Sequence, residues 1–580
     1  MVAFSVSPSV KVTETDLSGV VPAIATSIAA VVGRAKKGPA FKRVLNVNDN
    51  RLVENFGAPD DNNFKEFYSG VGYLTQGSNL FYTRVAGDGS KASTVHLDIA
   101  STTTHVSGIA GDGETILIPG SGSPGYDPDD VDTITNASDM DVVALGPGTF
   151  YDDFYIAIVD KDDYATLNNP VSGRALFALP VSSGGFEGHE YLIDLEVGPL
   201  TDDEFGLFVL SNAKENDSDA DLFVVEEKYL VSVTPTKKDG DGRNMYVQER
   251  VNRNSSLVRT RLDTSITTAP KTLLATQMAG GSEVTPTDSD RTFAWELYRN
   301  PELVDVNILV DADSSTTIKQ LLVTICEDRR DAMALLDVPL AQYSDTSKTK
   351  TVDNIVDYAD NTLGIDSSYA ALYANHFTIF DKFGDRDRVV PASGFVAGVL
   401  ALTDFTTDAW IPPAGLNRGV INGIKKLKLE TELADRDMLY THRINPIVNF
   451  RGGGAAVVWG QKTLLNKSSS FNRVNVRRLF IVLEKTIATL AEQIIFEIND
   501  TFTRNIFKGM IEPFLVEVTN KRGIFDFKVV IDETNNTSEV IDANGFVADI
   551  FIKPTRSAEF INLNFFSTRT GQSFEELIAV

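Results

Sequence analysis

Five histidines (His96, His105, His189, His376 and His442) and one cysteine (Cys326) are all the imidazole and thiol ligands that this 580-residue chain offers. Zinc hydrolysis on a helix needs two histidines one turn apart, and none of the five has a partner four positions on. No GxSxG nucleophile elbow occurs, and no GxxxxGK[ST] loop to cradle phosphates. A single cysteine excludes an internal disulfide framework and any cysteine-clustered zinc or iron–sulfur centre. In "LLVTICEDRR" it reads as a small buried hydrophobe.

Three stretches come close to chemistry and stop short. "DSDAD", Asp217 to Asp221, opens like a calcium loop, but Leu222 stands where the loop needs glycine and Lys228 where it needs a bidentate glutamate. "RGGGAAVVWG" could hold an anion on consecutive backbone N–H groups. It lacks the following Lys-Ser/Thr and runs into a strand-like "AAVVW", so it reads as a tight turn. "GPGTF", Gly146 to Phe150, reads as a turn before the strand "DFYIAIVD". The expectation is no catalytic residue, no metal site and no cofactor.

One segment is unusual for stiffness rather than reactivity. "DAWIPPAGLNRGVINGI", Asp408 to Ile424, places Trp410, Pro412, Pro413 and Gly415 in a short run between apolar stretches. Fixed proline φ angles make such a stretch low in conformational entropy, which suits a rigid connector.

The elements around it form an interrupted pattern. Phe4, Val6, Val10 and Val12 alternate with polar residues, giving an N-terminal strand that Pro8 confines to an edge. "SIAAVVGRAKKGPA" reads as a buried strand and turn, and "NFKEFYSGVGYLTQGSNLFYTRVA" as a helix leading to another strand. After Ala86 short Ser/Thr/Asp/Gly-rich strands run to about Gly281. Then "LVDVNILVDADSSTTIKQLLVTICEDRRDAMALLDVP" restores a βαβ pattern, so a parallel sheet begun before the insertion should close after it. From Val476, apolar residues Leu479, Leu483, Ile487, Leu490, Ile494 and Ile498 predict one long amphipathic helix to Asn499–Asp500. Asp500 should cap a second helix. Strands at Phe525–Ile531, Phe546–Ile552 and Ile561–Phe565 complete an α+β C-terminal domain.

The fold class expected is therefore multi-domain α/β and α+β. It comprises an N-terminal arm (1–20), an α/β core (21–87 plus 282–450), a mainly β outer insertion (88–281) and a C-terminal α+β domain (451–580) with a strand-forming arm. An insertion of short polar strands is expected to project into solvent and to be dispensable for assembly.

The net charge of −27 argues against nucleic-acid binding as the chief activity. Residues 101–300 carry 34 acidic against 14 basic residues, a net of −20; residues 417–528 carry 18 basic against 11 acidic, a net of +7. Arg473, Arg477, Arg478 and Lys485 gather at the start of the long helix, where an acidic partner could meet them. The start "MVAFSVSPSVKVTETD" lacks a basic and an apolar region, and no later window approaches about 18 uncharged apolar residues. A cytoplasmic origin without a membrane span is expected.

The ordered set of motifs resembles a known family. "VPASGFVAGVLALTDFTTDAWIPPAGLNRGVINGI", "INPIVNFRGGGAAVVWGQKTL" and "VNVRRLFIVLEKTIATLAEQIIFEINDTFTRNIFKGMIEPFL" are similar, in this order, to the Pro-rich block, the "vvwGarTl" block and the two C-terminal helices of contractile-tail sheath proteins of bacteriophages. "PSVKVTETDLSG", "FGAPDDNNF" and "LATQMAGGSE" extend the likeness upstream, while the insertion departs from it. The resemblance implies a non-enzymatic subunit that polymerises with itself as hexameric rings in a helical stack around a tail tube protein. It also implies baseplate and tail terminator partners, assembly in the host cytoplasm and a place in the virion. Terminal arms (Phe4, Val6, Val10, Val12; Ile561, Leu563, Phe565) would add strands to neighbours, and the four basic residues would face the tube. Two other readings stay open at this point: the sheath of a headless contractile injection device or bacteriocin, and an acidic β-rich glycan- or calcium-binding protein or hydrolase.

Overall fold

The computed structural model describes residues 26–99, 107–118, 125–135, 138–162, 200–212, 223–450 and 455–559. Its organising element is a nine-stranded sheet. In chain order its strands are β1 (Ala29–Gly33), β2 (Arg43–Asn46) and β3 (Leu80–Arg84), then, after the insertion, β13 (Ile308–Val310), β14 (Met333–Asp337), β15 (Ala370–Ala374), β18 (Val420–Ile421), β20 (Ile444–Asn449) and β21 (Ala456–Val458). The order across the sheet is β18-β21-β20-β15-β14-β13-β1-β3-β2. The run from β20 to β3 is parallel, and antiparallel pairings close both sides.

The central strands read Ala-Ala-Val-Val, Ile-Leu-Val and Met-Ala-Leu-Leu because both faces are covered and every position is buried. Alternate residues serve opposite cores. Ala29, Val31, Ile308, Val310, Met333 and Leu335 point into one, while Ala30, Val32, Leu309, Ala334 and Leu336 point into the other.

The helices are α1 (Asp49–Phe56), α2 (Phe64–Leu74), α3 (Val247–Asn254), α4 (Asp288–Glu296), α5 (Thr316–Arg329), α6 (Lys348–Asp357), α7 (Ser393–Thr406), α8 (Leu433–Thr441), α9 (Val474–Glu492), α10 (Thr501–Asn520) and α11 (Ser538–Asp542). Helices α2 and α7 pack together on one face, and glycines set how close they come. A Cβ on Gly394 would lie 2.0 Å from the Ser69 carbonyl oxygen, and one on Gly72 would lie 2.7 Å from the Phe395 ring. A three-stranded sheet beside them is formed by β16 (His376–Asp381), β17 (Arg386–Pro391) and β19 (Lys426–Leu427).

The insertion is two antiparallel sheets. One contains β4 (Lys91–Asp98), β5 (Ser107–Ala110), β6 (Glu114–Thr115), β7 (Met140–Pro147) and β11 (Val258–Leu262). The other contains β8 (Phe154–Val159), β9 (Glu204–Asn212), β10 (Phe223–Ser232) and β12 (Leu273–Gln277).

The insertion does not stand apart from the core. Val95, Leu97, Val142, Ile156, Leu207 and Val209 belong to the same continuous apolar cluster as Val32, Leu322 and Leu336. The joint is polar and close. Arg84, fully buried at the end of β3, donates to the Gly38 carbonyl at 2.9 Å and the Pro147 carbonyl at 2.7 Å, and Glu283 lies 3.6 Å away. Burial lowers the Arg84 pKa, against the pull of Glu283. A Cβ on Gly146 would lie 2.0 Å from the Gly38 oxygen, so the two loops meet only as glycines. Short polar strands suggested a dispensable outer domain, but the shared core gives the insertion a buried inner face.

Residues 23–485 form one compact unit; the described residues 486–559 belong to another. The first extends past residue 450, where the sequence suggested a division, because β21 pairs with β20 and the root of α9 packs within it. In the second unit, Phe507, Ile511, Phe514, Leu515 and Val518 of α10 are buried with Ile524 and Val529 of β22 (Ile524–Val530). Strand β22 pairs antiparallel with β23 (Asp549–Pro554). Asp500 caps α10 as expected, accepting from the Thr503 amide at 2.8 Å.

The long helix, however, ends at Glu492. Ile494, Ile495, Phe496 and Ile498 crowd too many apolar residues together for one stripe, and Phe496 adopts φ +72°. The strand expected at Phe546–Ile552 starts later, with Phe546 stacked edge-on against Phe507 at 5.5 Å.

Candidate functional site

Two of the histidines are separately occupied by carboxylates. His96 Nδ1 lies 2.7 Å from Oδ1 of Asp141, whose Oδ2 faces Arg261 NH1 at 3.3 Å; His442 Nδ1 lies 2.5 Å from Asp360 Oδ2. Burial pushes the Cys326 thiol well above its ordinary value. Among the described residues no group of three His, Cys, Asp or Glu side chains could hold a metal ion, and no helix is long and apolar enough to cross a membrane. His105, His189, Asp217–Asp221 and the glycines 452–454 lie outside the described residues, as do Phe4, Val6, Val10, Val12, Ile561, Leu563 and Phe565.

What the fold does assemble is a hydrogen-bonded junction around the Trp410–Gly415 segment. Trp410 is buried, and its carbonyl accepts from Asn475 Nδ2 at 3.2 Å, at the start of α9. Pro412 presents its carbonyl to Arg418 Nε at 3.4 Å. Gly415, at φ +84°, donates to the Val458 carbonyl at 2.9 Å, and Val458 donates to the Gly419 carbonyl at 2.8 Å. Gly419 donates back to Gly415 at 2.8 Å, where an added Cβ would strike the Gly415 nitrogen at 2.8 Å. Pro412 and Pro413 pre-set the chain entering this double turn, and the positive φ at Gly415 is the conformation a side chain would resist.

Sequence reading took this segment as a rigid connector; it leaves α7 and joins the edge of the nine-stranded sheet at β18, so both its ends lie in the 23–485 unit. There the Trp410 carbonyl meets the root of α9 through Asn475.

The basic residues placed at the tube by sequence are partly spent on that root. Arg478 is buried; its NH1 donates to Asp404 Oδ1 at 2.7 Å, its NH2 pairs with Asp404 Oδ2, and it reaches the carbonyls of Thr26 at 3.2 Å and Ala409 at 3.5 Å. Arg477 lies over the rings of Phe471 at 4.0 Å and Tyr369 at 4.3 Å, with burial lowering its pKa. Exposed cations were expected at both positions, and neither is one. The helix puts 477 and 478 on the side packed against the chain's own core, a placement that charge alone does not reveal. Arg473 and Lys485 keep partial exposure; Arg473 bonds Asn472 Oδ1 at 3.0 Å, and Lys485 pairs with Asp305.

Sequence reasoning missed a second feature. The 486–559 unit displays Ile495, Phe496, Ile498, Phe502, Phe525 and Phe551 to solvent, with Phe496 fully exposed and Ile498 77% exposed. Scattered apolar residues on a surface are ordinary, and these large ones are exposed among the described residues of one small unit. The over-long apolar run at 494–498 was the available signal.

Comparisons with known proteins cover most of the chain. Residues 299–464 match the phage tail sheath protein central domain and residues 466–568 the phage tail sheath C-terminal domain. The tail sheath protein of Vibrio phage KVP40 is 27% identical over 99% of this chain and 99% of its own length. That of Enterobacteria phage T4 is 34% identical over 75% of this chain, which spans 66% of the T4 protein. In fold, the crystal structure of a sheath tail protein from Listeria innocua superposes with a TM-score of 0.55 over 92% of this chain and 93% of that one, at 13% identity.

Proposed function

The chain belongs to the contractile-tail sheath family of bacteriophages, and on that premise we propose that it polymerises as a helical stack of six-subunit rings around a tail tube, in an extended state that is kinetically trapped. It is a structural subunit of a contractile sheath and a component of the virion. Release into a shorter, wider packing would drive the tube through the host envelope. The energy for that step lies in the packing of subunits and not in a bound nucleotide.

The observation that supports polymerisation is the apolar surface of residues 486–559. Phe496, Ile498, Phe502, Phe525 and Phe551 are exposed among the described residues, and other chains packed on them would bury them. The two-stranded β22–β23 sheet supplies a further reason. Strands added at its edges bring main-chain hydrogen bonds that do not depend on matching side chains. We assign the N-terminal strand (Phe4, Val6, Val10, Val12) and the C-terminal strand (Ile561, Leu563, Phe565) as the arms exchanged between neighbours. Arg473 and Lys485 remain as the basic contacts toward an acidic tube, while the segment around Trp410, Pro412, Pro413 and Gly415 keeps the root of α9 stiff under load. Baseplate and tail terminator proteins would bind the two ends of the polymer. Electron microscopy of the purified protein tests the reading: tubes with a hollow lumen are expected, and monomers dispersed at every concentration would overturn it.

A further inference from the structure

Three carboxylates, Asp311, Asp313 and Asp337, lie buried together at the C-terminal ends of β13 and β14. Only two ammonium groups answer them. Lys319 of α5 sits 2.9 Å from Asp311 Oδ2 with both side chains fully buried, and Lys65 of α2 sits 2.7 Å from Asp313 Oδ2.

Asp337 has no cation among the described residues. Its Oδ1 accepts from the amides of Ala392 (2.9 Å) and Ser393 (2.8 Å) at the start of α7, and its Oδ2 takes one longer bond from the Asp313 amide at 3.3 Å. The Asp337 amide in turn donates to Asp311 Oδ2 at 3.0 Å, which brings the like charges onto one turn. That turn is itself strained, with Ala312 and Asp313 adopting φ +55° and +59° in succession. Around it stand His376 of β16, fully buried with Nε2 3.9 Å from Asp313 Oδ2, Tyr343 with its ring 5.1 Å from His376, and Tyr358 bonded to Thr316 at 3.2 Å.

Three buried carboxylates against two ammonium groups leave one more anion than cation while the His376 imidazole is neutral, and such a cluster must tolerate the imbalance or take up a proton. We propose that the cluster holds one exchangeable proton on Asp337, and that its release loosens the 311–314 turn and the seat of α7 on the strand ends. The proton belongs on Oδ2, the oxygen with the single long bond.

Each carboxylate's surroundings agree with that assignment. Burial raises Asp313, but the nearby His376 and the charge and bond of Lys65 outweigh it and hold the group down, to about 2. Burial and then the charge of Asp311 raise Asp337 to about 6, against the pull of His376 and the bond from Ser393. The two amides of α7 favour the carboxylate, yet full desolvation beside two like charges outweighs them.

A folded-state pKa above the unfolded value of about 3.9 means a stabilisation fully present below about pH 4 and lost as pH rises through about 6. Unfolding of the full chain, dispersed and followed from pH 5 to 7.5, should show the wild type losing about tenfold in folding equilibrium constant relative to Asp337→Asn, which has no proton to release. Difference infrared spectroscopy of the wild type should show a protonated-carboxyl C=O band disappearing over the same range. In Asp311→Asn, which removes the nearest like charge, that band should disappear at lower pH. This second measurement decides the matter if Asp337→Asn fails to fold. Parallel pH profiles for wild type and Asp337→Asn, or the lack of any wild-type carboxyl band titrating above about pH 5, would overturn the proposal.

Discussion

Replacing Asp404 with asparagine should loosen the root of α9. Asp404 and Arg478 are 4% and 5% exposed and meet through both guanidinium NH groups, so the pair lies out of water. Asparagine keeps the shape and one acceptor but leaves the Arg478 charge with only the carbonyls of Thr26 and Ala409. Breaking a buried pair from one side costs about 3–5 kcal/mol, and the retained acceptor points to the lower end, about 3 kcal/mol. Since about 1.4 kcal/mol is a factor of ten, amide exchange across Arg477–Lys485 should quicken by roughly a hundredfold. Urea unfolding followed through tryptophan fluorescence should shift to lower midpoint, because Trp410 adjoins the pair. The double variant Asp404→Leu/Arg478→Met removes both charges and should recover most of the loss. A single variant within 1 kcal/mol of wild type, or a double variant as unstable as the single, would refute the buried-charge reasoning.

Further variants test the other features. Phe496→Glu/Ile498→Glu should leave the monomer folded, with unchanged circular dichroism, and abolish tubes in electron micrographs, because both side chains are exposed in the single chain. Deleting residues 1–15, or placing proline at both Val10 and Val12, should give a folded subunit that forms no continuous sheath; normal-length contractile sheaths would refute arm exchange. Gly146→Ala should destabilise the chain by about 1–3 kcal/mol in denaturant titration, because its methyl group would meet the Gly38 oxygen at 2.0 Å. Joining Gly87 directly to Gly281 should yield insoluble protein, since the cut exposes the shared apolar cluster; a soluble, polymerising product would show that the core closes without the insertion.

Much of the architecture was legible because the signals were local. "AAVV" and "ALLD" announce strands buried on both faces, Asp500 announces a cap, and the Pro–Pro–Ala–Gly run announces a fixed turn. The features that were not legible depend on partners distant in the chain. Arg477 and Arg478 look like surface cations until Tyr369, Phe471 and Asp404 are brought to them. Arg84 looks like the end of an exposed strand until Gly38 and Pro147 close over it. The break after Glu492 went unseen because a 3.6-residue stripe can be traced through Ile494 and Ile498 even where Ile495 and Phe496 spoil the face.

The sheet order has a consequence for how the protein is made. Strand β1 sits between β3 and β13, with Ala29 pairing Leu80 on one edge and Ile308 on the other. On a ribosome adding about 5–20 residues per second, the second edge of β1 waits on the order of tens of seconds for its neighbour to emerge. During that interval the insertion is the part of the chain able to complete antiparallel pairings of its own. By sharing its apolar cluster with Val32 it shields one face of the waiting strands. A chain trimmed of the insertion would leave that face uncovered while β1 waits for β13.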